Sequence, residues 1–255
     1  MTFINMRIVT ILLIFFLNFY ASASENSGGN MPDHEWSFEG ITGTFDKAAL
    51  QRGFKVYREI CSGCHSMRLL YYRDLIDIGF NEEEVKVIAS DYTVVDGPND
   101  EGEMFERDAK PSDHFVGPFA NDQEARASNN GSLPPDLSVI SKARVNGANH
   151  LYNLLLGYAE PPENFEVAEG MYYNKWMNGN QIAMAPPLDE GYVDYDDGTE
   201  NTLPQLAEDL ATFLVWSAEP ELEARKKLGI KVILFFIIFG IVVYFTKRRL
   251  WRDVH

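Results

Sequence analysis

Both cysteines of this 255-residue chain stand in one five-residue stretch, Cys61-Ser62-Gly63-Cys64-His65, with an imidazole directly behind the second thiol. Cys-x-x-Cys-His is the spacing of c-type haem attachment, in which two thioethers hold the porphyrin and the adjoining histidine faces the iron. A structural zinc site needs about four nitrogen or sulfur ligands, and a second cysteine pair is absent. A thioredoxin-like redox pair or a plain disulfide would leave His65 without a purpose. One covalently bound haem c therefore limits the fold more than any other feature. A large flat apolar cofactor supplies part of the core, and the protein around it can be loop-rich.

The two ends carry apolar runs of different kinds. Met6-Arg7 precedes an apolar stretch at residues 8–20, and Ala21-Ser22-Ala23 follows. A basic start, a short apolar core and an Ala-x-Ala site predict a secretory signal peptide over residues 1–23. Its core of 13 residues falls short of the ~20 that a spanning helix requires. Export suits haem c and a chain with no other thiols. Near the other end, "LGIKVILFFIIFGIVVYFTKRRLW" gives nineteen residues from 228 to 246, with Lys231 near one end, where its stem can snorkel. Lys247, Arg248, Arg249 and Arg252 follow. They predict a transmembrane anchor over residues 225–255 with a cytoplasmic C-terminus and the main domain outside.

Charge divides along the same lines. The chain has 22 Lys+Arg against 38 Asp+Glu, a net charge of −16. Arg7 leaves with the signal, and residues 225–255 hold eight basic residues and one acidic. The exported part, residues 24–224, keeps 13 basic and 37 acidic residues, a net of −24. That sign excludes nucleic acid as a partner and favours steering of a basic soluble protein. Residues 81–84, 99–106 and 189–200 are the acidic stretches that would do it.

Between the ends the chain reads as mainly α, one haem domain and one anchor. Residues 24–40 look like an extended lead-in. Thr44 or Asp46 caps a first helix whose apolar side is Phe45, Leu50, Phe54, Tyr57 and Ile60, and which runs directly into Cys61. Residues 71–78 read as helical, and Asn81 caps "EEEVKVIAS". From 96 to 135 no sustained period appears and Gly, Pro, Asn and Asp dominate, so a long loop is expected. A helix is predicted over residues 149–158 with Leu151, Leu154 and Leu155 inward. Residues 189–201 read as an exposed acidic segment. Thr202, Pro204 and Gln205 give the start of a final soluble helix, with a capping box between Thr202 and Gln205. Leu206, Leu210, Phe213, Leu214 and Ser217 follow helical spacing; Glu219-Pro220 ends it, and "ELEARKKLG" links it to the anchor.

With His65 on one axial position, function turns on the other. An open position would bind and activate small molecules, as in a peroxidase or gas sensor. A methionine there favours ferrous iron, raises the potential and makes an electron carrier. A third reading is an anchored protein whose haem only stabilises the fold. His34, His114, His150 and His255 are the histidine candidates; His255 lies beyond the anchor, His34 in the lead-in, and spacing alone does not dismiss His114 or His150. Met67 is too near His65 in sequence to reach the opposite face, and Met31, Met104, Met171 and Met177 sit in loops. Met184 has the best local setting, since "QIAMAPPL" places it before two prolines with fixed φ.

Taken in order, "YREICSGCHSM", "GPNDEGEMFERDAKPSDHF", "NNGSLPPDLSVISKAR", "NGNQIAMAPPL", "ATFLVWSAEPELEARKKLG" and the single C-terminal span resemble the cytochrome c1 family, the haem subunits of the cytochrome bc1 complex (ubiquinol–cytochrome c oxidoreductase). The resemblance implies a cytochrome c-like haem domain with long loops and one C-terminal transmembrane helix. It implies Cys61 and Cys64 as thioether positions, His65 as proximal ligand, Met184 as distal ligand and Arg144 as a contact to a haem propionate, with Pro134-Pro135 lining the haem edge. The run after Arg144, "VNGANHLYN", departs from the mitochondrial pattern, so no haem contact is carried onto it. The implied role is electron transfer from a Rieske iron–sulfur protein to a soluble or tethered cytochrome c, as a subunit of an oxidoreductase without a catalytic side chain. Cytochrome b and a dimeric complex are the implied partners. The short signal favours a bacterial inner membrane with the haem domain in the periplasm over a mitochondrial presequence.

Overall fold

Helices deliver the 61–65 motif and frame it. The computed structural model describes residues 31–253; the expected signal peptide, the start of the lead-in and His255 lie outside the described residues. Helix α1 is Lys47–Glu59, capped by Asp46, whose carboxylate accepts the Ala48 N–H at 2.9 Å. Its buried residues come in pairs, Ala49 and Leu50, Gly53 and Phe54, Val56 and Tyr57, which is one apolar stripe at helical spacing. A 3-10 turn, Cys61–Gly63, follows at once. The stretch 71–78 is helical as expected, as a 3-10 helix over Tyr72–Ile78. Asn81 caps α2, Glu82–Ser90, and Glu84 reaches back to the Asn81 N–H in a reciprocal capping box.

Residues 96–135 are more structured than the sequence predicts. Strands β1 (Thr93–Asp96) and β2 (Phe105–Asp108) pair antiparallel, with Thr93 opposite Asp108 and Asp96 opposite Phe105. Strands of four residues show too few alternations to read as a period. An ion-pair knot holds the hairpin: Arg107 bonds Asp96 and both carboxylate oxygens of Asp113. Helix α3, Asp122–Ser128, starts where Asn121 accepts the Glu124 N–H at 3.0 Å.

Helix α4, Gly147–Leu156, buries Leu151 and Leu155 and leaves Leu154 half-buried. Two-residue strands β3 (Tyr172–Tyr173) and β4 (Gln181–Ile182) form a second hairpin. Helix α5 is Leu203–Ala218, with Thr202 accepting the Gln205 N–H at 3.4 Å, one half of the expected capping box. All five of its predicted inward residues are buried. The last helix, α6, is Leu222–Leu250, long and apolar enough to cross a membrane. The expected linker is thus helical and continuous with the span.

Packing converges on the crossing of α1 and α5. At Gly53 a Cβ would lie 2.0 Å from the Asp209 carbonyl oxygen, so only glycine permits the approach. Phe54 and Tyr57 set their rings 5.7 and 5.9 Å from that of Phe213. Two expectations are corrected here. Part of the lead-in is core: Trp36 and Phe38 are buried, and the Trp36 indole N–H donates to Asn149 Oδ1 at 2.7 Å. The acidic segment 189–201 is not simply exposed either. Val193 and Tyr195 are buried, while Asp196 and Asp197 pair with Lys55 and Arg52 on α1.

Candidate haem site

The motif hangs from the end of α1. Ser62 Oγ donates to the Arg58 carbonyl at 2.6 Å, and the Cys64 and His65 N–H groups donate to the Cys61 carbonyl at 3.0 and 2.8 Å. The loop 134–138 closes on it from far along the chain. Leu137 N–H donates to the Ser66 carbonyl at 2.8 Å. Asp136 Oδ2 accepts from Ser66 Oγ and from the Arg68 N–H, and its Oδ1 accepts from the Ser138 N–H. Burial works to raise the Asp136 pKa, but those donors outweigh it and hold it below the usual carboxylate range. Asp136 is the staple of the site and was missed in the sequence; its one signal was an Asx turn to Ser138 just past a Pro-Pro pair.

His65 is fixed by the same loop. Its Nδ1 lies 2.8 Å from the Pro135 carbonyl oxygen. A carbonyl only accepts, so Nδ1 carries the proton and Nε2 is the nitrogen with a lone pair, the arrangement of a metal-ligating histidine held by an outer hydrogen bond. The Tyr57 hydroxyl holds the other end of the residue, donating to the His65 carbonyl at 3.2 Å. Burial lowers the His65 pKa, with the Pro135 bond and Asp136 pulling the other way.

Both thiols are free. Burial, with a smaller effect of Cys64, pushes the Cys61 thiol up to about 12. Among the described residues no group of three or more His, Cys, Asp and Glu gathers as a metal site would require. Beside Cys64 a cleft of about 170 Å³ opens, lined by Pro118, Phe119, Leu133, Pro134 and Pro135 and by the polar side chains of Ser66, Arg68, Asp122 and Asp136. Two free thiols on one turn and an imidazole presenting Nε2 fit a covalently held haem.

The other expected residues stand on separate elements. Met184 is half-buried two residues past β4, and its carbonyl accepts the Tyr158 hydroxyl at 3.1 Å. Arg144 is exposed in the turn before α4 and donates to the Ala143 carbonyl. Among the described residues no hydrogen bond ties either to the 61–65 turn. Other candidates stand elsewhere in the fold. Met67 is fully buried and Met104 is 60 % exposed. His114 is exposed and stacks on Tyr71 at 3.8 Å. His34 packs between Trp36 and Tyr152. His150 is buried on α4, its pKa lowered by burial and then by the charge of Arg144.

Comparison with known protein families matches residues 36–254 to the Cytochrome C1 family. The chain belongs to that family. It is 44% identical over 250 residues to "Cytochrome c1" of Rhodospirillum rubrum, covering 91% of this chain and 92% of that protein. It is 44% identical over 232 residues to "Cytochrome c1 1, heme protein, mitochondrial" of Arabidopsis thaliana, covering 91% of this chain and 76% of the relative. A third relative, "Cytochrome b/c1" of Bradyrhizobium diazoefficiens, is 44% identical over 263 residues; 94% of this chain spans 38% of that longer protein. Membership agrees with the mainly α fold, the apolar C-terminal helix and the haem c cofactor expected from Cys61, Cys64 and His65.

Proposed function

We propose that this chain is a membrane-anchored c-type cytochrome carrying electrons from a Rieske iron–sulfur protein to a soluble or tethered cytochrome c within a cytochrome bc1 complex of a respiratory chain. The observation that carries the reading is the 61–65 turn itself, with two free thiols and an imidazole whose tautomer is set by Pro135. Bound haem c supplies the one-electron iron couple. Cys61 and Cys64 would hold the group covalently, His65 Nε2 and the Met184 thioether would ligate its iron, and the Arg144 guanidinium would offset one of its carboxylate charges. A methionine ligand would favour the reduced state and would leave no open position for small-molecule chemistry. No side chain acts as general acid or base, so the chain serves quinol–cytochrome c oxidoreductase as an electron-transfer subunit.

Helix α6 crosses a bacterial inner membrane once. Lys247, Arg248, Arg249 and Arg252 face the cytoplasm, and the haem domain of residues 24–224 faces the periplasm. Cytochrome b is the partner in the membrane, in keeping with the relative named for both proteins, and the complex is dimeric. The acidic surface steers a basic acceptor.

The test is ligand binding to the reduced full-length protein. Wild type is expected to show the near-infrared sulfur–iron band when oxidised and to resist carbon monoxide when reduced. Met184→Leu is expected to lose the band, lower the midpoint potential and admit carbon monoxide. Ready carbon monoxide binding by wild type, with no change of potential in the variant, would overturn the assignment in favour of an open-site haem protein.

A further inference from the structure

Met184 sits in a stretch with little regular structure to hold it. Residues 183–188 lie between β4 and the acidic segment, and Pro186 and Pro187 offer no N–H for a ladder. Outside the strand ladders, the Tyr158 bond is the one hydrogen bond on residues 184–188 among the described residues. The geometry points to Tyr158 as a positioning residue for Met184: its hydroxyl fixes the backbone from which the thioether is presented, an inference that rests on the reading of Met184 as distal iron ligand.

Tyr158 can do this because its own place is set by a buried polar knot. It follows Gly157, the C-cap of α4, and pairs across an isolated antiparallel bridge with Asn174. Asn174 is fully buried. Its Nδ2 donates to the Leu154 carbonyl at 2.8 Å, its Oδ1 accepts the Trp176 N–H at 3.0 Å, and its N–H donates to the Asn180 carbonyl. Lys175 N–H donates to the Gly157 carbonyl. A Cβ at Gly157 would lie 2.6 Å from Asn174 Oδ1 and 2.7 Å from the Trp176 ring, so the chain passes where only glycine fits. The knot locks the β3–β4 hairpin to the end of α4, and α4 packs on α5. A buried polar group bonded through its nitrogen and its oxygen in this way fixes local geometry. Through it, the methionine segment is referred to the same helical frame that carries His65.

Tyr158→Phe removes the hydroxyl and little else, so it separates positioning from folding. In the full-length detergent-solubilised protein, the variant is expected to keep wild-type covalent haem content. Loss of one net hydrogen bond shifts the ratio of displaced to bound methionine by about 2- to 13-fold. The apparent affinity of the reduced protein for carbon monoxide rises by the same factor, because it scales with the fraction of protein competent to bind. The near-infrared sulfur–iron band weakens accordingly. Tyr172→Phe, at an exposed tyrosine of β3, is expected to match wild type. Ile88→Ala, a core truncation on α2, is expected to lower the denaturation midpoint without raising carbon monoxide affinity. If Tyr158→Phe matches wild type while Met184→Leu loses the band, the positioning role is overturned and the ligand stands. If Ile88→Ala raises carbon monoxide affinity as much as Tyr158→Phe does, the effect is general destabilisation and the role is overturned. If Met184→Leu itself keeps the band, the ligand assignment fails first.

Discussion

Asp209 has no exposed surface, yet it carries a carboxylate in the middle of α5. The Arg52 guanidinium answers it with two bonds, Nε to Oδ2 at 2.9 Å and the terminal nitrogen to Oδ1 at 2.8 Å, and reaches Asp197 with its third nitrogen at 2.8 Å. The planar fork of arginine makes this triple engagement possible, and the Arg52 pKa rises further, led by the Asp209 bond. Removing the cation leaves a buried charge without a partner, which costs about 3–5 kcal/mol. Arg52→Leu is therefore expected to shift the urea unfolding free energy by that amount at neutral pH. The acid limit of the same cluster can be signed. Asp197 is held down to about 2, first by the Thr199 N–H and then by Arg52. Its folded pKa lies below the unfolded one of about 3.9, so the unfolded chain binds more protons in that window. The contribution is complete above about pH 4 and disappears towards pH 2, and Asp197→Asn should show a flatter stability profile than wild type across that interval.

At the scale of elements, the crossing of α1 and α5 depends on a residue that helix propensity disfavours. Gly53 in mid-helix costs about 1 kcal/mol relative to alanine. Gly53→Ala would recover that, but its Cβ would stand 2.0 Å from the Asp209 carbonyl and 2.7 Å from Phe213 Cβ. Both neighbours are helix backbone or buried core and cannot swing aside. Overpacking of this kind costs about 1–3 kcal/mol or more, so the sign is net destabilising, and a lowered thermal midpoint together with a lower yield of haem-loaded protein is the expected reading. The same two helices show what could be read beforehand. Asp46, Thr202 and Pro204 announce helix starts by chemistry local to a few residues, and α1 and α5 begin where those residues stand. The thiols and His65 were legible for the same reason. The β1–β2 hairpin was not, because what holds it is Arg107 reaching Asp96 and Asp113, eleven and six residues away. Trp36 and Phe38 looked like lead-in because their partners lie over a hundred residues on, Asn149 for the one and Lys226, through the Phe38 carbonyl, for the other. The role of Asp136 was hidden for the same cause, since beyond its local Asx turn it acts on the Arg68 N–H, 68 residues before it.

For the molecule as a whole, the membrane helix is not a tether. Leu222 at the start of α6 is buried in the domain, and three polar contacts bind the next turns of α6 to the segment before α1. Glu223 Oε1 accepts the Phe45 N–H at 2.9 Å, and Lys226 Nζ donates to the carbonyls of Phe38 and Gly43. The turn it grips is tight, for a Cβ at Gly43 would fall 1.8 Å from the Glu39 carbonyl oxygen. A helix rising ~1.5 Å per residue transmits orientation along its length, so the angle between the globular part and the apolar span is set by this grip. A rigid mount of this kind holds the 61–65 turn in a fixed position relative to the apolar span. Lys226→Met keeps the apolar stem and deletes both donated bonds, which to a charged donor contribute about 1.5–3 kcal/mol each. The variant in membranes or detergent is expected to keep its haem and its spectrum, since neither bond touches the 61–65 turn. It is expected to lose protection in the 36–45 segment, seen as faster amide exchange there by at least about tenfold. Exchange unchanged in that segment would mean that the buried side chains of Leu222, Trp36 and Phe38 hold the mount without Lys226.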